Sequence, residues 1–109
     1  MILHLAAFRW KDDVSAEDVA QLCDALVAFR RRVDGIVDYH FGPDLGMRPD
    51  NADFGIVAVM ESPETLHGYL DHPAHQELYK QVLGPMIALR TAVQIMVEGA
   101  LAVPDRQEA

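Results

Sequence analysis

Five histidines fall in a chain of 109 residues: His4, His40, His67, His72 and His75. Imidazole titrates close to neutrality, so it can take and return protons under ordinary conditions. The richest stretch is Tyr69-Leu70-Asp71-His72-Pro73-Ala74-His75-Gln76-Glu77-Leu78-Tyr79. Proline suits the first position of a helix, which puts His75 in a first turn begun by Pro73. Leu78, Tyr79 and Val82 then share its helical face. Apolar company disfavours the charged imidazole and leaves the neutral form that a general base needs. His4 alternates with Ala6 and Phe8 on what reads as a strand, again among apolar neighbours. Either histidine alone reads as a hydrogen-bonded core residue. Together with Tyr69, whose hydroxyl can steady a developing negative charge, they outline an acid–base group.

A metal site is the competing use of such residues. His72 and His75 are three apart, but Pro73 interrupts, leaving His72 before the helix and His75 within it. No His-Glu-x-x-His motif or cysteine cluster accompanies them, so no metal and no cofactor are expected. His40, between Tyr39 and Phe41, and His67 read as structural or exposed residues.

The elements that must position these groups are short and closely spaced. Residues 2–9 read as a first strand. Ser15 caps a helix whose first turn carries Glu17 and Asp18, and Val19, Leu22, Cys23, Leu26, Val27 and Val33 recur along one stripe. Asp34-Gly35 ends it. Strands follow at 36–41 and 54–61, separated by a loop rich in glycine and proline. Ser62-Pro63-Glu64 opens a short helix that His72-Pro73 breaks. A further helix is expected to reach about Arg90 with a kink at Gly84-Pro85, before a last strand at 92–98. The order β-α-β-β-α-β, its second helix in two pieces, predicts an α+β ferredoxin-like antiparallel sheet with helices on one face. The domain occupies 1–100 and a C-terminal tail 101–109.

A sheet covered on one side only is expected to alternate apolar and polar residues. Here Phe54, Ile56, Ala58 and Met60 oppose Val57 and Val59, while Ile2, Ala6 and Phe8 oppose Leu3, Leu5 and Ala7. Both faces are apolar, and the helices can cover one. A second subunit, sheet against sheet, is the expected cover for the other, giving a homodimer.

Composition bounds the partners. Half the residues are hydrophobic (50%) and 24% charged, a globular mixture. The net charge of −8 opposes nucleic-acid binding. Arg30-Arg31-Arg32 ends the first helix and reads as compensation of its dipole. No run approaches the ~20 apolar residues of a membrane span. The lone Cys23 and the absence of a basic flank before the apolar start point to the cytoplasm.

The segment His72-Pro73-Ala74-His75 before a long helix, with Tyr69 and the strand end Met60-Glu61-Ser62, resembles the stress-responsive α/β-barrel (Dabb) family. The start, from His4 to Phe8 with Trp10-Lys11 and the acidic helix opening, is similar to that family's first strand and helix. The resemblance spans roughly residues 2–98. It implies a dimeric α+β barrel with a pocket between each sheet and its own helices. The family includes a plant polyketide cyclase, whose catalytic tyrosine and histidine match Tyr69 and His75 and whose pocket-lining first-strand histidine matches His4. Phe8, Phe54, Tyr79 and Val82 are the expected substrate-binding residues beside His4. One departure stands out: a Tyr-Thr-His run entering the cyclase's third strand is Ala52-Asp53-Phe54 here. A polar group gives way to an aromatic wall, which argues against the same substrate.

Three functions follow. The first is an enzyme on a small apolar or polyketide-like carbonyl compound, with His75 removing a proton and Tyr69 bonding the oxygen, in cyclisation or a lyase step. The second is a cofactor-free oxygenase acting on a phenol or quinol. The third is a non-catalytic, stress-related dimer or hydrophobic-ligand binder. Family resemblance alone does not choose among them.

Overall fold

Ser15 marks where regular structure begins after the first strand. Its hydroxyl accepts from the Asp18 amide at 3.1 Å and the Asp18 carboxylate accepts from the Ser15 amide at 2.9 Å, a reciprocal cap on α1 (Ala16–Arg32). Leu22, Leu26 and Phe29 form the buried stripe of that helix. Gly35, at φ +90°, then takes a conformation that other residues rarely adopt, and a Cβ there would meet Thr65 Cγ2 at 2.6 Å. The computed structural model describes residues 1–98, so the tail expected at 101–109 lies outside the described residues.

The strands β1 (Ile2–Trp10), β2 (Ile36–Pro43), β3 (Phe54–Met60) and β4 (Ile87–Met96) form one antiparallel sheet in the order β2-β3-β1-β4. The register stacks residues into rows. His4 pairs with Ala58 and Gln94, and Ala58 with Tyr39, on the face turned to the helices. Leu5 pairs with Val57 and Val93, and Val57 with His40, on the opposite face. Ile2, Ala6, Phe8, Phe54, Ile56 and Met60 join Leu22, Leu26 and Phe29 in the core between sheet and helices. The expected ferredoxin-like α+β order is present.

The second helical region departs from expectation. α2 (Pro63–Asp71) is capped by Ser62, and α3 (Pro73–Leu78) follows it directly. A π-helical turn, Tyr79–Leu83, and a 3-10 turn, Gly84–Met86, then end the helix well before Arg90. Proline cannot continue the hydrogen-bond ladder. Gly84 lies so close beneath Tyr79 that a Cβ would meet the Tyr79 carbonyl at 2.7 Å. The Met86 carbonyl accepts instead from the Lys11 amide at 2.8 Å, and β4 starts at Ile87. Arg90 is therefore a strand residue, directly across from Phe8.

Candidate functional site

A row of polar groups interrupts the otherwise apolar inner face of the sheet. His4 is buried at 3% exposure, and its Nδ1 accepts from Gln94 Nε2 at 2.8 Å. The neutral ring consequently carries its proton on Nε2. Tyr39, next in the row, is also buried. Above the row lie Tyr69 from α2 and His75 from α3. The Tyr69 and His75 rings meet edge to face with centroids 5.1 Å apart. His4 lies 6.0 Å from Tyr69 in the same sense. Phe29 packs against both upper rings, at 5.5 Å from Tyr69 and 5.9 Å from His75.

His4, Tyr39, Tyr69 and His75 line one cavity between sheet and helices, about 390 Å³ of empty space with its solvent mouth included. Ala6, Phe8, Leu26 and Ile56 form its apolar floor and sides, and Tyr79 and Arg90 also contribute to the wall. The electrostatics follow from this enclosure. Burial, followed by the positive charge of Arg90, holds the His75 pKa below its ordinary 6.5. The same two causes, in the same order, lower His4. Burial raises the phenol pKa values of Tyr39 and Tyr69, keeping both protonated as donors. The two hydroxyls are near enough to perturb each other, yet Tyr39 Oη has no partner in good hydrogen-bonding geometry. Tyr39 Oη is thus a buried hydroxyl without a hydrogen-bond partner.

Of the expected site residues, His4, Phe8, Tyr69, His75 and Tyr79 meet in this cavity. Phe54 and Val82 line other parts of the molecule. Phe54 is in the core, 5.5 Å from Trp10, and Val82 packs toward α1 and the Pro85 turn. The π-helical turn changes the angular advance per residue, so Val82 no longer shares the face of His75. Tyr39, Gln94 and Arg90 were not expected. Tyr39 was discoverable from its alternation with Phe41. Arg90 was masked by the overlong helix.

Of the remaining histidines, His67 is exposed on α2, and the other two make local polar contacts. His72 Nδ1 accepts from the Ala74 amide at 3.0 Å and caps α3. His40 Nε2 lies 2.8 Å from the Asp38 carboxylate on the exposed face. Among the described residues, no three histidine, cysteine or acidic side chains group as metal ligands would.

The profile of the stress responsive A/B barrel domain matches residues 2–97. The chain belongs to the Dabb family. An uncharacterized protein of Streptomyces coelicolor is 34% identical over 79 residues, covering 70% of this chain and 80% of the relative. A dimeric ferredoxin-like protein of unknown function from Thermobifida fusca superposes with a TM-score of 0.82 at 36% identity, covering 88% of this chain and 90% of its own. The hydroxynitrile lyase of Passiflora edulis has a similar fold, at a TM-score of 0.77 and 15% identity, covering 93% of this chain and 96% of its own. No helix among the described residues is long and apolar enough to cross a membrane.

Proposed function

We propose that this Dabb protein is an acid–base enzyme on a small carbonyl compound, acting by aldol- or Claisen-type cyclisation or a related lyase step. The observation that carries the reading is the meeting of Tyr69 and His75 at 5.1 Å in a cavity that also holds His4. A neutral His75 accepts the proton on the carbon next to the carbonyl. Tyr69 donates a hydrogen bond to the carbonyl oxygen as negative charge moves onto it. The resulting carbanion equivalent attacks a second carbonyl, and the imidazolium returns its proton to the new alkoxide. Run backwards, the same steps cleave a carbon–carbon bond. The occurrence of a hydroxynitrile lyase on the same scaffold agrees with this chemistry.

We further propose that the working unit is a cytoplasmic homodimer joined through the outer sheet face. Leu5 (36%), Val93 (48%) and Ile95 (48%) are exposed there in adjacent rows. The similar Thermobifida fusca protein is dimeric, which supports a homodimer here.

Turnover is tested with polyketide-like and phenolic carbonyl compounds, alongside melting of the same samples. His75→Ala is expected to lower turnover by ~10²–10⁴-fold with little loss of fold. Tyr69→Phe keeps the ring and is expected to lower it as well. The two losses combine less than multiplicatively, because both groups act on one transition state. A folded His75→Ala protein with wild-type turnover would sink the reading.

A further inference from the structure

The wall of the cavity has a charge opposite to that of the chain. Overall the protein carries −8, yet no aspartate or glutamate lines this cavity. With both wall histidines favouring the neutral form, Arg90 is the lone formal charge of the lining. Among the described residues Arg90 has no carboxylate within ion-pair distance. It stands on the inner face opposite Phe8, is itself exposed, and acts electrostatically on both His4 and His75. It thus sits at the solvent side of the cavity while reaching its interior with its field.

The uncharged groups point the same way. Tyr39 Oη is a buried hydroxyl without a partner, and Tyr69 contributes a second hydroxyl. His4 Nδ1 is engaged by Gln94, leaving its other ring nitrogen as a donor. Donors therefore outnumber acceptors in a pocket whose remaining wall is apolar. Such a surface suits a ligand rich in oxygen acceptors at one end, with an apolar body. A guanidinium offers a planar fork matched to a carboxylate.

We propose that the pocket selects a small oxo acid whose carboxylate is held by Arg90. Its oxygens further in meet the hydroxyls of Tyr39 and Tyr69. Arg90 is a specificity-determining residue in this arrangement. The acid's apolar body lies along Phe8, Leu26 and Ile56. The proposal rests on the pocket reading above and adds the charge of the compound that enters.

Benzoate and benzamide serve as probes, since they share a ring and differ chiefly in charge. Binding to the full chain is followed by calorimetry and by the imidazole resonances of His4 and His75. Benzoate is expected to bind at least tenfold more tightly than benzamide and to weaken as salt rises. Arg90→Gln is expected to remove that advantage by weakening benzoate far more than benzamide, and Arg90→Lys to restore part of it. Melting of each variant monitors folding, and the salt series on the unaltered protein stands independently of the variants. Equal affinity for the two probes, or no response to Arg90→Gln, overturns the acid selectivity and leaves the pocket reading standing. If neither probe binds or moves either imidazole, both proposals fall.

Discussion

The two faces of this sheet are built from the same strands yet depart from the usual pattern in opposite ways. On the inner face an apolar surface is broken by a polar row, Tyr39, His4 and Gln94, beneath Tyr69 and His75. On the outer face a surface open to water stays apolar at Leu5, Val93, Ile95 and Leu89. The first departure puts hydrogen-bonding groups where burial makes them costly, and the second leaves hydrophobic area uncovered. A single exposed aliphatic residue is ordinary, but adjacent rows of them need a cover. Chemistry is thus indicated by what is out of place inside, and assembly by what is out of place outside.

The sharpest test of that contrast substitutes one residue on each face. Phe8→Ala, on the inner face at 2% exposure, removes packing from the core and is expected to cost about 3–5 kcal/mol of stability. Chemical denaturation measures it directly. Leu5→Glu, three rows along the same strand but on the other face, is expected to split the dimer. Light scattering would then report the 12.1 kDa subunit, with the sheet still formed by circular dichroism. A Leu5→Glu protein that stays dimeric would remove the outer face from the interface.

Acidity separates the faces in another way. Burial and Arg90 lower the folded-state pKa values of His4 and His75 beneath the ordinary 6.5. Above 6.5 both rings are neutral in the folded and unfolded chains, and the stability they permit is fully present. As pH falls from 6.5 toward the depressed folded values, the unfolded chain binds protons first and stability declines. Thermal melting between pH 7 and pH 5 is expected to show this loss, and His4→Gln together with His75→Gln to flatten it. With His75 as the proposed base, the acid limb of turnover is also expected below pH 6.5, since a general base must be unprotonated. The smallest effect expected is from Ser15→Ala, which removes one half of the α1 cap and costs about 1 kcal/mol without altering either face.

How far the residues disclose this arrangement differs by region. The caps Ser15 and Ser62 are local signals, and the structure uses both. The two-sided apolar pattern of β1 and β3 is also local, requiring only alternation along each strand. Tyr69 and His75 are six positions apart on successive helices, so their meeting needs little more than the turn between them. His4 and Gln94 are separated by 90 positions, and their hydrogen bond depends on the β1–β4 register. No spacing in the chain specifies that register. Arg90 was hidden for another reason: the apolar residues before it continue a helical pattern that only tertiary packing ends. The Gly84 contact with Tyr79 and the Lys11–Met86 hydrogen bond make that ending. Phe54 fits its strand as expected, but it is buried in the core beside Trp10 and does not line the cavity.

His72 makes the joint between α2 and α3, and its bonds run to both members of the proposed pair. Its amide donates to the Tyr69 carbonyl at 3.3 Å, and its carbonyl accepts from the His75 amide at 2.9 Å. Its ring meanwhile fixes the start of α3. The separation of the hydroxyl from the imidazole is thus governed by the bend at a residue that forms no part of the cavity wall. Changes there are expected to retune the reach of the pair, as moving a hinge pin alters the bite of a pair of jaws while the jaws keep their shape. A search for variants with altered ligand size would therefore begin at His72 and Pro73, before any residue of the lining is touched.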